Sequence, residues 1–285
     1  MPAPKKQPAG KAVAAKKKTD VAVPAINFAA EQGVGLEGAD KESFAIPFFA
    51  VLQSNSPQVE LETVEGAKAG LLINTVTEEL FKEAKLVFVA FQRRYLRWGD
   101  RNHGGGFKGE YLPEEVDKML EEGVAWQDEE DGMKIRTASA DGSGPGDILK
   151  DTRQHYAMMV REDGSFSRCI VPMASTQIKR SKRLMAQMAE YQMTDPNTGA
   201  KFNPPTYARI YKVQTEAESN DKGRWHSFVL NPVGVVEDPD LYEACKAFHK
   251  QIHSGEAKAD YASMEKAEAV DDGPVQQEAD PNGKF

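Results

Sequence analysis

The chain has 285 residues and a formal net charge of −8, with 28% charged and 40% hydrophobic residues, a soluble composition with enough apolar sequence to build a core. Its two cysteines, Cys169 and Cys245, stand in no CxxC or His-rich spacing, which argues against a disulfide framework or zinc ribbon and fits a reducing cytoplasm. No apolar run approaches bilayer length and the N-terminus lacks a signal-peptide core, so neither a membrane partner nor export is expected.

Charge is distributed unevenly. Residues 1–18 hold six lysines and no acid, whereas residues 256–285 carry −5, leaving −9 for the middle. Residues 1–40 read as a disordered basic tail, beginning with Ala, Lys and Pro that have almost nothing to bury. Apolar density starts in residues 41–60, where Phe44, Ile46, Phe48, Phe49, Val51 and Leu52 open a folded domain expected to reach residue 255. Residues 66–77 predict a turn and a short strand through Leu71, Leu72 and Ile73.

Residues 85–108 change character partway. Leu86, Phe88, Ala90 and Gln92 fall on one side of a predicted strand, with Val87, Val89, Phe91 and Arg93 on the other. From Gln92 onward, Arg93, Arg94, Tyr95, Arg97 and Trp98 interleave guanidinium groups with large rings. That mixture suits a surface that grips phosphates and stacks bases, although a core strand running into a solvated hairpin has the same pattern. Residues 99–150 read as a long insertion, with a short helix at 113–122, an acidic run at 128–131 and a flexible loop at 141–146. No GK[ST] follows the glycines of 104–106 or of 141–146, so neither is a P-loop.

Residues 154–161 and 165–172, joined by Glu162-Asp163-Gly164, predict a β-hairpin. Residues 173–193 give the best helix in the chain, with Ser175 or Thr176 as its cap. Lys179, Arg180, Lys182 and Arg183 crowd its first turns against the helix macrodipole, which suggests a polyanion partner; a core helix with a solvated basic face is the plainer alternative. Residues 206–215 alternate, with Tyr207, Arg209, Tyr211 and Val213 on one face, and residues 224–231 add a strand carrying Arg224 and Trp225. A helix capped by Asp238 or Asp240 runs to about His253; His249 and His253 sit at i, i+4 but have no third metal ligand in view. Residues 256–285 read as a disordered acidic tail.

Five strands with a helix between the third and fourth is the order of an OB-fold. The expected class is therefore mainly β with helices, α+β, as an OB-fold-like five-stranded Greek-key barrel with an insertion at 99–150 and disordered tails. Its face would place Arg93, Arg94, Arg97, Lys179, Arg180, Lys182, Arg183, Arg209 and Arg224 on phosphates. Tyr95, Trp98, Tyr207, Tyr211 and Trp225 would stack on bases.

A barrel with basic and aromatic residues, a helix, and an acidic tail containing Asp271, Asp272, Glu278 and Asp280 and ending in Phe285 resembles the bacteriophage single-stranded DNA-binding proteins of the T7 type. The resemblance covers residues 85–285. It implies a non-enzymatic protein of the host cytoplasm that binds and protects single-stranded DNA during replication or recombination, needing no cofactor and no metal. It also implies that the tail competes for the DNA cleft and docks replication proteins such as a polymerase or helicase. The basic leader, the additional N-terminal segment and Lys284 beside Phe285 depart from the pattern. The oligomeric state is open, a homodimer included. A structural or scaffolding component of a phage particle or other assembly is the alternative; an enzyme is the weakest reading, because no nucleophile elbow, dinucleotide fingerprint or separated carboxylate set for a metal is evident.

Overall fold

The computed structural model describes residues 34–38, 46–99, 105–129, 134–138, 146–221, 223–257, 259, 261 and 264. The chain divides into two units, Met1–Asp40 and Lys41–Phe285. In the first, the described residues form a short turn in which Gly35 N–H donates to the Glu37 carboxylate, 2.8 Å.

The second unit is built on two long strands rich in β-branched and aromatic residues, β4 (Ala84–Trp98) and β8 (Asp147–Val160). They pair antiparallel from Lys85 opposite Val160 to Trp98 opposite Ile148. Each is longer than any single neighbour, so its outer edge is shared. Beside β4 run β12 (Arg209–Asn220), paired at Ala84–Leu86, and β5 (Phe107–Tyr111), paired at Tyr95–Trp98. Beside β8 run β9 (Phe166–Ala174), paired at Thr152–Val160, and β7 (Lys134–Thr137), paired at Asp147–Leu149. β13 (Gly223–Val235) extends the sheet beyond β12, and β6 (Ala125–Asp128) extends it beyond β7. The β8–β9 turn is the one expected from Asp163-Gly164. Gly164 adopts φ +83°, and Arg161 N–H donates to Ser165 O at 2.8 Å.

Strict alternation along β4 breaks at Val89. The register shifts between Phe88 and Ala90, a bulge that exchanges the two faces for the rest of the strand. Val87 and Val89 therefore share one apolar cluster with Leu96 and Trp98, while Leu86 and Phe88 belong to another. The alternation expected across Leu86 to Gln92 is corrected accordingly: Ala90 packs with Val87 and Val89, not with Leu86 and Phe88.

Both faces are apolar, and each carries its own cover. On one face lies α4 (Pro239–His253), with a stripe of Leu241, Cys245, Phe248 and Ile252 and the Asp238 carboxylate accepting from the N–H groups of Asp240 and Leu241. On the other lies α3 (Ile178–Ala189), preceded by a 3-10 turn at Ser175–Gln177 and bringing Leu184 and Met188 to the sheet. The upper part of that face is covered by α2 (Pro113–Glu121), whose Val116 packs with Tyr95, Ala125 and Leu149. A small antiparallel sheet of β1 (Phe49–Val51), β2 (Leu72–Asn74) and β3 (Leu80–Phe81) adds Phe49 and Leu72 to the α3-side cluster.

The class is thus mainly β with helices. Among the described residues the strands do not close into the expected OB-fold-like five-stranded barrel; they form an open eight-stranded sheet. The reason is chemical: a barrel has one apolar interior, whereas this sheet buries side chains on both faces and needs two covering layers. Residues 99–150 supply β5, α2, β6 and β7, so they are part of the sheet's upper half and not an appendage. Residues 206–208 form a 3-10 turn ahead of β12, where a strand was expected. Beyond α4 the described residues also pack instead of trailing off. Ala259 bridges Ile46, the Tyr261 ring stacks on Phe107 at 4.3 Å, and Met264 is buried.

Two positions test this architecture. His155 lies under α3, its ring against Phe91 and Phe88 and its Nε2 2.8 Å from Ser181 Oγ. Burial first, then the nearby Arg153 charge, bring its pKa down to about 3. A depressed folded pKa gives stability that is complete above the unfolded value near 6.5 and is lost as pH falls toward 3. Urea denaturation at pH 7.5 and 5.5 should show a loss of about 1.4 kcal/mol from this group, absent in His155→Gln. Gly70 has φ +87°, and a Cβ there would lie 2.6 Å from the His226 ring on β13. Gly70→Ala should lower stability by more than about 1 kcal/mol, measured by the same denaturation.

Candidate nucleic-acid interface

The edge of the sheet at β13 organises this surface. A free edge exposes unpaired backbone groups, and here two glutamine amides occupy them. Gln177, at the start of α3, donates to His226 O at 3.0 Å and accepts from Phe228 N–H at 3.1 Å. Gln53 donates to the same His226 O at 2.9 Å and accepts from His226 N–H at 2.8 Å. These contacts set the α3 N-terminus against the β12–β13 hairpin, and with it the cations of the first turns.

Lys179 bonds Glu218 at 2.5 Å, and Arg180 donates through Nη2 to both Glu216 and Glu218. Burial pushes the Glu218 carboxyl up, but hydrogen bonds from Lys179, Arg180 and Ser227 outweigh it and bring it down to about 2. Burial likewise works against the Arg180 charge, and Glu218 and Glu216 reverse it, leaving that pKa raised. Lys182 and Arg183 are exposed on α3. Arg183 has no ion-pair partner among the described residues, nor does the exposed Arg224 on β13. Trp225 is half-buried beside Arg224, with its Nε1–H donating to Ser227 Oγ at 3.1 Å. Arg209 lies 4.0 Å over the Tyr191 ring, a cation–π contact.

The upper ribbon is a different environment. Arg93 forks onto Asp151 at 2.8 Å and also donates to Tyr95 Oη at 3.0 Å, while Arg153 reaches the same carboxylate at 3.1 Å. Arg97 pairs with the buried Asp147 at 2.6 Å and donates to Ala138 O at 2.8 Å. Arg94 donates to Arg93 O at 2.9 Å. Tyr95, Trp98 and Tyr211 are buried core rings, so the expected stacking surface is corrected to Trp225 and the part-buried Tyr207. Tyr207 belongs to the α4 side, its ring 5.4 Å from Tyr242. The predicted residues therefore split. Lys179, Arg180, Lys182, Arg183, Arg224 and Trp225 gather around α3 and the β12–β13 hairpin; Tyr95 and Trp98 belong to the sheet interior, Arg93 and Arg97 to its ion pairs, and the part-buried Arg94 lies on the same ribbon. Asp271, Asp272, Glu278, Asp280 and Phe285 lie outside the described residues.

A profile of the Pam3 phage gp34-like protein family matches residues 16–258. The chain belongs to that family. The family's description points to a phage origin. No curated protein and no solved structure matches the chain. Among the described residues, no helix is long and apolar enough to cross a membrane, and no group of three or more His, Cys, Asp or Glu is placed to hold a metal ion. His249 and His253 stack on each other at 4.1 Å, and His253 Nδ1 lies 3.0 Å from His249 O.

Sequence reasoning passed over two residues of this surface and one on the opposite edge of the sheet. Glu216 and Glu218 follow the predicted strand 206–215, in a stretch that reads as a polar loop but continues β12, and their partners on α3 are nearly forty residues away in sequence. Trp126 stands 43% exposed on the edge strand β6, the most accessible of the chain's tryptophans. Its position in a polar, acidic stretch carried no signal of exposure.

The carboxylate–cation cluster has a pH signature. A depressed Glu218 pKa gives stability that is present above about 4.5 and lost as pH falls through about 2. Thermal unfolding followed from pH 5 to pH 2.5 should show a flatter acid limb for Glu218→Gln than for the natural protein, together with a lower melting temperature at pH 7.

Proposed function

We propose that this protein binds single-stranded DNA without sequence preference, through α3 and the β12–β13 hairpin, and serves phage-type DNA replication or recombination in the host cytoplasm. One observation carries the reading: four cations within five residues at the N-terminal half of α3, on a chain of net charge −8, beside Arg224 and the half-buried Trp225. Cations at a helix N-terminus oppose its macrodipole, so they do not serve the helix. Guanidinium groups with an adjacent ring are what a flexible phosphate chain with unstacked bases requires. Glu216 and Glu218 temper the cluster, so binding is moderate and sensitive to salt. The acidic C-terminal residues Asp271, Asp272, Glu278 and Asp280, with Phe285, act in this reading as the docking peptide for replication proteins. The proposal stands as a resemblance to phage single-stranded DNA-binding proteins in chemistry, on an open sheet instead of a barrel.

Trp225→Ala should weaken binding to oligo-dT by about 1–3 kcal/mol, the worth of one base stack, while leaving the melting temperature nearly unchanged. Tryptophan fluorescence titrated with oligo-dT, matched RNA and duplex DNA at low and moderate salt measures it. Quenching that is strongest with oligo-dT, is relieved by salt and disappears in Trp225→Ala supports the assignment. No response to any nucleic acid at either salt sinks it.

A second reading, a structural component of a phage assembly, draws on Trp126 and on Val124, which is 50% exposed at the start of the same edge. An exposed ring on an edge strand is a common anchor for a protein partner. Concentration-dependent self-association lost in Trp126→Ala, without DNA affinity, would favour it.

A further inference from the structure

The groove between α3 and β13 has a chemistry of its own. Arg180, Arg183, Leu184 and Gln187 fall at i, i+3, i+4 and i+7, so they form one face of α3, and they line the groove with Phe228, Val229, Leu230 and Asn231 of β13. Leu184, Phe228 and Leu230 belong to the buried cluster and make an apolar floor. The rim consists of two guanidinium groups and two amides.

Two features of that rim are unbalanced. Arg180 meets Glu216 and Glu218 through Nη2, while its Nε is a buried donor with no hydrogen-bond partner among the described residues. That Nε is closed to solvent, so it is the rest of the guanidinium that borders the groove. Arg183, one turn along the same face, carries a full charge with no carboxylate beside it among the described residues, and like charges at i, i+3 repel. One anion in the groove would answer the Arg183 charge and lie against the Arg180 guanidinium.

We infer that this groove is a single-phosphate site, in which Arg180 and Arg183 clamp one phosphodiester of a bound strand and the amides of Gln187 and Asn231 donate to its remaining oxygens. The inference rests on the nucleic-acid reading and deepens it by naming the phosphate contact. Guanidinium forks match a tetrahedral oxyanion, and amide donors add hydrogen bonds without adding charge. The groove is shallow, so it accepts the backbone phosphate and leaves the base outside, toward the hairpin that carries Trp225. Glu216 and Glu218 hold Arg180 in position through its Nη2.

The test uses the full chain and fluorescein-labelled oligo-dT, with binding measured across a salt series. Removing one phosphate contact should reduce the slope of log K against log salt by about 0.7, the single-strand increment. Arg183→Gln should show that reduction together with about tenfold weaker binding at moderate salt, because a charge-assisted bond is lost. Arg183→Lys should restore the slope but only part of the affinity, since it keeps the charge and loses the fork. Lys250→Gln, at an exposed position on α4, should change neither. Arg183 is exposed, so its variants are expected to fold, and thermal melts check this.

If the natural protein binds oligo-dT but Arg183→Gln leaves the slope unchanged, the groove is not the phosphate site and the nucleic-acid reading stands without it. If the natural protein binds no nucleic acid at all, that reading fails, and inorganic phosphate followed by the NMR signals of the arginine Nε–H groups decides the site by itself. A shift at Arg180 that disappears in Arg183→Gln retains an anion site; the absence of a shift overturns it.

Discussion

The pairing of β4 with β8 is the interaction on which the rest depends. Fourteen or fifteen residues on each side give the two strands room for two neighbours along each outer edge, so a single ribbon supports both halves of the sheet. The bulge at Val89 decides which side chains each half presents. Without that one extra residue, Leu96 and Trp98 would leave the cluster they share with Val87 and Val89, and Tyr95 would leave its place under α2. A strand that presents apolar side chains on both faces needs a covering layer on each, and the two layers follow from it. The polar chain through Gln92, Tyr156, Gln154 and Tyr261 fastens the segment after α4 to the same ribbon, so the domain's last described residues are also registered against these two strands.

From the ribbon outward, the path to the candidate site is short. β12 and β13 extend one half of the sheet and leave an edge, and Gln53 and Gln177 close part of it with side-chain amides. Because Gln177 is the residue immediately before α3, satisfying the edge also fixes where the helix starts. The cations that follow are therefore presented at the sheet's margin and not over its centre. His155 and Ser181 make the second attachment, one turn further along, in a buried polar pair that needs a neutral imidazole. Edge protection, helix placement and the direction of the cationic face are one arrangement, and the surface is as rigid as these hydrogen bonds make it.

Much of this was legible in the sequence, and the failures have physical causes. The Asp163-Gly164 hairpin, the Asp238-capped helix with its Leu241, Cys245 and Phe248 stripe, and the basic start of α3 are local features, decided by residues within a few positions of one another. A bulge has no such signature. Val89 looks like any other β-branched residue, and only the partner strand shows that it is the extra one. The small strands of residues 99–150 were hidden because each is four or five residues long and polar on one side, a length at which alternation and loop composition cannot be told apart. Closure versus openness of the sheet is a still longer-range property, set by which strand edges meet.

The arginine-rich end of β4 shows why residue type alone drew structural ion pairs into the candidate site. Arg93 and Arg97 alternate with Tyr95 on the face toward α2, and β8 brings Asp151 and Asp147 to that face at matching intervals. A guanidinium opposite a carboxylate in a half-buried sheet neutralises a charge that would otherwise be costly to bury; it does not attract a polyanion. The same arithmetic at α3 ends differently. Two carboxylates, Glu216 and Glu218, meet Lys179 and Arg180, whereas Arg183 lies beyond their reach and Arg224 stands at the hairpin with no acid beside it among the described residues. In this fold a cation with an acid in register on the facing strand is held in an ion pair, as Arg93, Arg97, Lys179 and Arg180 are, and Arg183 and Arg224 are left without one among the described residues.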